Sequence, residues 1–393
     1  MNIASLSHWV RGSRARGGVL AGGLCLSATL AAAAPPALAA AALPTAPAAV
    51  TQVSGDLRSV SAVSASDAWA VGPAGTSGRP TFLHWNGSAW TRVTVPNQGS
   101  PTLSSVSADS ASDAWAVGER TGRRHSGLNL VMHWNGTTWA QVPVPSPSKS
   151  LNGLASVSAA APDDVWAVGF TGNVGTISSA QVLHWDGAKW AQVPVPNASR
   201  YELLAVTALS ASDVWAVGDV SGTRILVLHW NGTAWSQAAV PHLAGDLAAV
   251  TALSPSDAWA VGRCCGPNLG KSLVLHWNGT TWTRQASPNP SQMGAGSFNR
   301  LSGVSAVSGT DAWAVGYYGR ITAQGSAGKP LILHWDGTSW TQAASPFFGT
   351  ASGLDSVAAV SSTDVWATGG TFRNKGLGTT VILHWNGSAW TRS

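Results

Sequence analysis

Seven histidines and seven aspartates recur along this chain in step, and a His–Asp pair is a common apparatus for general acid–base chemistry. The histidines His84, His133, His184, His229, His276, His334 and His384 all stand in "HW". The aspartates Asp67, Asp113, Asp164, Asp213, Asp257, Asp311 and Asp364 all open a phrase that reads "DAWAVG" in the first copy. Catalysis needs one asymmetric site. Seven identical pairs are instead expected to satisfy buried polar groups in a repeated structure.

A second set of residues is not repeated. The segments "PAGTSGRP", "ERTGRRHSG", "FTGNVGTISS", "DVSGTR", "RCCGPNLGKS", "YYGRITAQGSAGKP" and "GTFRNKGLG" differ in length and content. They hold Arg79, Arg120, Arg123, Arg124, Arg224, Arg263, Lys271, Arg320, Lys329, Arg373 and Lys375 against only Glu119 and Asp219. Clustered cations focus anions and speed their encounter, and flat rings can stack on sugars. Eight of the nine Phe and Tyr, including Tyr317, Tyr318 and Phe372, are expected in loops on the same side of the molecule. These residues are therefore the candidate ligand site. No cofactor or metal is expected: Cys264 and Cys265 have no His in their loop, and no zinc, EF-hand, phosphate-loop or serine-nucleophile spacing occurs. The two cysteines are a disulfide candidate, although adjacent Cα atoms about 3.8 Å apart fall short of the usual span of roughly 4.4–6.8 Å.

The elements that must carry these groups follow from a repeat. The tryptophans Trp69, Trp115, Trp166, Trp215, Trp259, Trp313 and Trp366 are spaced 46, 51, 49, 44, 54 and 53 residues apart. Each copy adds two more, so that 21 of 22 Trp belong to the pattern. Within one copy, "LRSVSAVS", "DAWAVG", "TFLHW" and "SAWTRVTVP" are short runs bounded by Ser, Asp, Asn and Gly, which predicts four strands. Asn86-Gly87 predicts a two-residue hairpin turn with positive φ at both positions. Seven such units predict an all-β fold, a seven-bladed β-propeller of four-stranded antiparallel blades. Pro96, Pro143, Pro194, Pro241, Pro288 and Pro346 mark the fourth strand as the outer edge. The Trp are expected to fill the wedges between blades, each N–H finding one partner.

The sentence D-[AV]-W-A-V-G … H-W-[ND]-G-x-x-W resembles the secreted repeat proteins of actinobacteria and Chloroflexi, placed loosely with kelch/galactose-oxidase-like or Asp-box-like propellers. The resemblance covers residues 51–393 and implies a propeller and an extracellular location, with no particular activity.

Residues 1–39 read as a secretory signal, with Arg11, Arg14 and Arg16, an apolar run and "ALA" before a cleavage point near Ala39. Residues 40–47 read as an Ala/Pro-rich linker and 48–393 as the propeller, with repeats near 57–96, 103–145, 154–196, 203–241, 247–288, 301–346 and 354–393. Removing the signal lowers the net charge from +5 to +2. Ala48–Val53 align with the end of another copy's fourth strand, so they are expected to lie beside the seventh blade and close the ring. The reading is a secreted, monomeric, non-catalytic binding module without a membrane span in the mature chain. Its expected ligand is an extracellular or cell-wall glycan, anionic in preference, or another anionic polymer; nucleic acid is not expected. A protein-interaction scaffold is the alternative and a glycan-active enzyme the third reading. An enzyme would show carboxylates converging at the axis, and the variable loops supply few.

Overall fold

A computed structural model describes residues 55–393, apart from 74–78, 97–100, 122–126, 174–175, 266–269, 292–295, 323–324, 347, 349–350 and 372–377. It contains seven four-stranded sheets, each in simple sequential order. In the first blade the strands are Ser59–Ser64, Asp67–Gly72, Thr81–Trp85 and Trp90–Arg92, paired antiparallel. The fold is a seven-bladed β-propeller. Among the described residues, no helix is long and apolar enough to cross a membrane.

Each blade interface is built from the same rings. Trp69 is fully buried; it meets Trp134 of the next blade at 4.9 Å and Trp139, edge to face, at 5.1 Å. The same contacts close the ring, because Trp366 of blade seven meets Trp85 at 4.9 Å and Trp90 at 5.2 Å. Gly55 N–H donates to Gly378 O and Leu57 N–H to Gly369 O across that seam. The expected closing segment Ala48–Val53 lies outside the described residues.

One expectation about the rings is corrected. Trp85, Trp134 and Trp230 donate their N–H to turn carbonyls, but Trp69, Trp90, Trp115, Trp139, Trp259 and Trp282 leave theirs without an acceptor. These rings pack edge to face with one another across the blade interfaces.

The first strands line the axis, and their serines have a specific task. Val106 N–H donates to Ser59 Oγ at 3.1 Å and Ala108 N–H to Ser61 Oγ at 3.0 Å, so one blade satisfies the inner edge of the next. The same bridges run from Ser105 and Ser107 to blade three and from Ser156 and Ser158 to blade four. At the seam, Val60 N–H donates to Ser356 Oγ at 3.2 Å.

The turns after "HW" also differ from the expectation. Trp85 pairs with Trp90, so four residues, 86–89, separate the strand ends. Only Gly87 has positive φ, at 86°. Asn86 contributes its side chain instead: Oδ1 accepts from Ser88 N–H at 3.1 Å and Ala89 N–H at 3.0 Å. Asp186 and Asp336 do the same, which explains the Asn/Asp interchange. Such bonds favour the ionised form; at Asp336 the Thr338 hydroxyl donates as well, at 2.6 Å, and together with the backbone N–H groups it pulls the carboxyl down to about 2. The prolines likewise lie beyond the short fourth strands, in the connectors that follow them.

Candidate functional site

The turns between strands one and two and between three and four share one face, which is nearly the same in every blade. There the His–Asp pairs are formed, with Nε2 to Oδ1 distances of 2.7–3.0 Å. Each imidazole also lies over the Trp of the neighbouring strand, at centroid distances of 4.1–4.3 Å. The pairs anchor the start of the second strand to the end of the third, as repetition implied.

The opposite, variable face holds the candidate ligand residues. Much of what the sequence suggested as loop is strand. The second and third strands of blade six, Asp311–Thr322 and Gly325–Trp335, stay paired from Tyr317↔Pro330 out to Thr322↔Gly325. Tyr317 and Tyr318 therefore sit on a β-ribbon and are partly buried; Tyr317 meets Phe298 edge to face at 5.6 Å, and Tyr318 packs into a blade wedge. Phe170, Tyr201 and Phe298 are strand residues too, and Tyr201 is buried with its hydroxyl donating to Gln237 Oε1 at 3.2 Å. Arg79, Arg224, Arg320 and Lys329 are exposed; Arg120 and Lys271 are partly buried, and the Arg120 Nε is enclosed without a hydrogen-bond acceptor. Arg123, Arg124, Phe372, Arg373 and Lys375 lie outside the described residues.

Arg263 is not a free rim cation. Its Nε donates to Asp246 Oδ2 at 2.6 Å, while Arg300 Nη2 stands 3.6 Å from Oδ1. Asp246 belongs to a set of carboxylates that corrects the expectation of few on this face. Asp56, Glu202, Asp246 and Asp355 sit at the entry of their blades' first strands, and Glu119 and Asp219 on second strands. Glu202 and Asp219 are direct cross-strand partners, an arrangement like charges disfavour. Burial, then Asp219 and Asp246, pushes the Glu202 carboxyl up. Burial, with Asp246 against the Gly222 N–H and Arg263, does the same to Asp219. Burial and the nearby Asp56 lift Asp355 to about 6 despite Arg58 and Arg300; burial raises Glu119 against the pull of Arg58. The variable face is thus acidic and mixed in charge at its centre and cationic at its rim. The acids stand in "GDLR", "YELL", "AGDL" and "SGLD", outside the variable segments between strands two and three.

Cys264 and Cys265 stand as free thiols in this structure. Cys264 is buried in the wedge between blades four and five. That burial, with the hydrogen bond to Cys265, pushes its thiol up to about 12, which suppresses the thiolate that exchange chemistry requires. Cys265 has φ of 57°, and Arg284 Nη1 points at its sulfur from 3.7 Å. No group of three or more metal-ligating side chains occurs among the described residues.

Fold and site define a Trp-wedged, seven-bladed propeller with one repeated face and one individual face. No protein-family model matches the chain, and no curated protein matches it in sequence. Among solved structures it is similar to YCF48 bound to a D1 peptide, with a TM-score of 0.52 and 15% identity over 86% of this chain and 93% of that one. It is also similar to YCF48 from Cyanidioschyzon merolae, with a TM-score of 0.51 and 13% identity over 84% and 97% of the two chains. Likeness at this level of identity establishes the shared fold.

Proposed function

We propose that the protein is a secreted, non-catalytic binding module whose variable face holds an anionic extracellular or cell-wall glycan. The observation that carries this reading is the charge layout. Exposed Arg79, Arg224, Arg320 and Lys329 stand at the rim of the individual face, with Arg123, Arg124 and Arg373 adding charge to the same segments. A polymer crossing the rim meets several cations at once, so modest contacts add through multivalency.

Two dependences follow. Exposed charge attraction is screened over about 10 Å at 0.1 M salt, so retention on an acidic glycan column should fall steeply as salt rises. It should also rise as pH falls from neutrality to about 5. Asp355, lifted by burial and Asp56 to about 6, takes up its proton in that range, and burial shifts Glu202, Asp219 and Glu119 in the same direction, so falling pH removes negative charge from the mouth. Sugar carboxylates, with ordinary values near 4, remain largely ionised. Arg123→Ala, Arg124→Ala and Arg320→Ala together should elute earlier than wild type at low salt, with an unchanged unfolding midpoint. Co-elution with wild type, or indifference to salt, contradicts the reading.

A glycan-active enzyme is the second reading, favoured by the opposed Glu202 and Asp219 carboxyls with raised pKa values. A protein scaffold draws support from the peptide named with the YCF48 structure.

A further inference from the structure

Blades four and six each hold an open cleft at the same place in the repeat. In blade four a cleft of about 430 Å³ lies between the entry of the third strand and the connector leaving the fourth, bordered by Arg224, Ile225, Gln237, Ala239 and His242. In blade six a cleft of about 160 Å³ is bordered by Lys329, Pro330, Gln342, Ala344 and Phe348. Measured from the repeated histidine or the last Trp of each copy, Arg224 matches Lys329, Ile225 matches Pro330, Gln237 matches Gln342 and Ala239 matches Ala344.

Blades two and five tie the connector to the strand at this position with side-chain hydrogen bonds. In blade two the position of Ile225 is Asn129, whose N–H donates to Ser146 Oγ at 3.1 Å and whose Nδ2 donates to Pro145 O at 2.7 Å. In blade five it is Ser272, whose N–H donates to Asn289 Oδ1 at 2.8 Å and whose Oγ donates to Pro288 O at 3.1 Å. Ile225 has no polar side-chain atom, and its N–H reaches Leu243 O at 3.3 Å. Pro330 has no N–H at all. In blade four backbone contacts alone, Ile225 to Leu243 and the Arg224↔Ala244 bridge, join the connector to the strand, and in both blades an exposed cation borders the opening.

We infer that the clefts of blades four and six are duplicate subsites, each for one carboxylated pyranose unit of an acidic polysaccharide. Arg224 or Lys329 meets the sugar carboxylate. The apolar positions, Val220 in one blade, Tyr318 and Phe348 in the other, face the C–H surface of the ring. Gln237 and Gln342 supply an amide for the hydroxyls, and Tyr201 holds Gln237 in place. The blade-four cleft falls within the roughly 300–1,000 Å³ of small-molecule sites; the blade-six cleft is smaller and accepts a unit less deeply. The inference rests on the glycan reading and deepens it by naming where single sugar units sit.

The test is calorimetric titration at low ionic strength with a polygalacturonate oligomer, using wild type, Arg224→Ala, Lys329→Ala and the double variant, with dextran sulfate as a second probe. Each single variant should weaken oligomer binding by about three- to tenfold, as expected for loss of one charge-assisted contact. The double variant should lose on the order of a hundredfold, because bivalent engagement is gone. Lys329→Arg should retain binding, and dextran sulfate should be much less sensitive to these changes. A double variant that binds like wild type overturns the inference while leaving the rim reading intact. Equal losses for dextran sulfate overturn the sugar assignment, since the clefts would then read charge alone. Wild type that binds no polygalacturonate overturns the underlying reading itself.

Discussion

Replacing Gly118 with Ala should cost about 3 kcal/mol or more and leave much of the protein unfolded or insoluble. The phrase "DAWAVG" ends in Gly for a steric reason. The first strand of blade two carries a bulge between Leu103 and Ser105, which presses its backbone onto the second strand where Leu103 pairs with Gly118. A Cβ on Gly118 would overlap the Thr102 carbonyl oxygen and stand 2.9 Å from Leu103 Cα. Both obstacles are backbone, so neither can rotate away. Gly169, Gly218, Gly262, Gly316 and Gly369 face the equivalent carbonyl oxygens, so the same loss is expected at any of them. Denaturant unfolding of soluble Gly118→Ala protein decides it; a wild-type midpoint would show that the bulge can relax.

Trp366→Ala should destabilise by about 3–5 kcal/mol, the range for removing a large buried aromatic. Trp366 is 1% exposed, lies over His384 at 4.2 Å and joins blade seven to Trp85 and Trp90 of blade one. Trp259→Ala removes the same contacts to Trp335 and Trp340 inside the ring. The closing interface has no covalent connection among the described residues beyond the chain's own path, so its loss also frees two blade surfaces. Proteolysis should accordingly cut Trp366→Ala within blades one or seven before it cuts Trp259→Ala anywhere. Equal protease sensitivity would place closure outside this Trp contact.

The architecture could be read from the sequence because Trp spacing and period-2 runs are properties of single copies. Features that depend on two segments meeting could not. The Ser59–Val106 bond joins residues 47 apart, and "SVSAV" alone suggests only smallness. The bulge beside Gly118 does not alter the alternation that identifies a strand. Asn-Gly suggests backbone tolerance of positive φ, whereas the Asn86 side-chain oxygen does the turn's bonding. At the candidate site, the rim cations were legible as an excess within variable segments. Asp56, Glu202, Asp246 and Asp355 are visible in the sequence only as single acids of four copies; that Glu202 meets Asp246 and Asp355 meets Asp56 follows from blade packing, which no single copy shows.

The two faces therefore carry different burdens. One repeats its His–Asp pairs and Asx-bonded turns seven times and supports the blades; the other varies in charge, ring content and open clefts. Hydrogen-exchange footprinting with a polygalacturonate oligomer tests that division most directly. The account predicts added protection in 119–128, 219–225, 239–243 and 317–330, and none in the turns 86–89, 135–138, 231–234 and 278–281. Protection centred on those repeated turns, with the variable face unchanged, would contradict it.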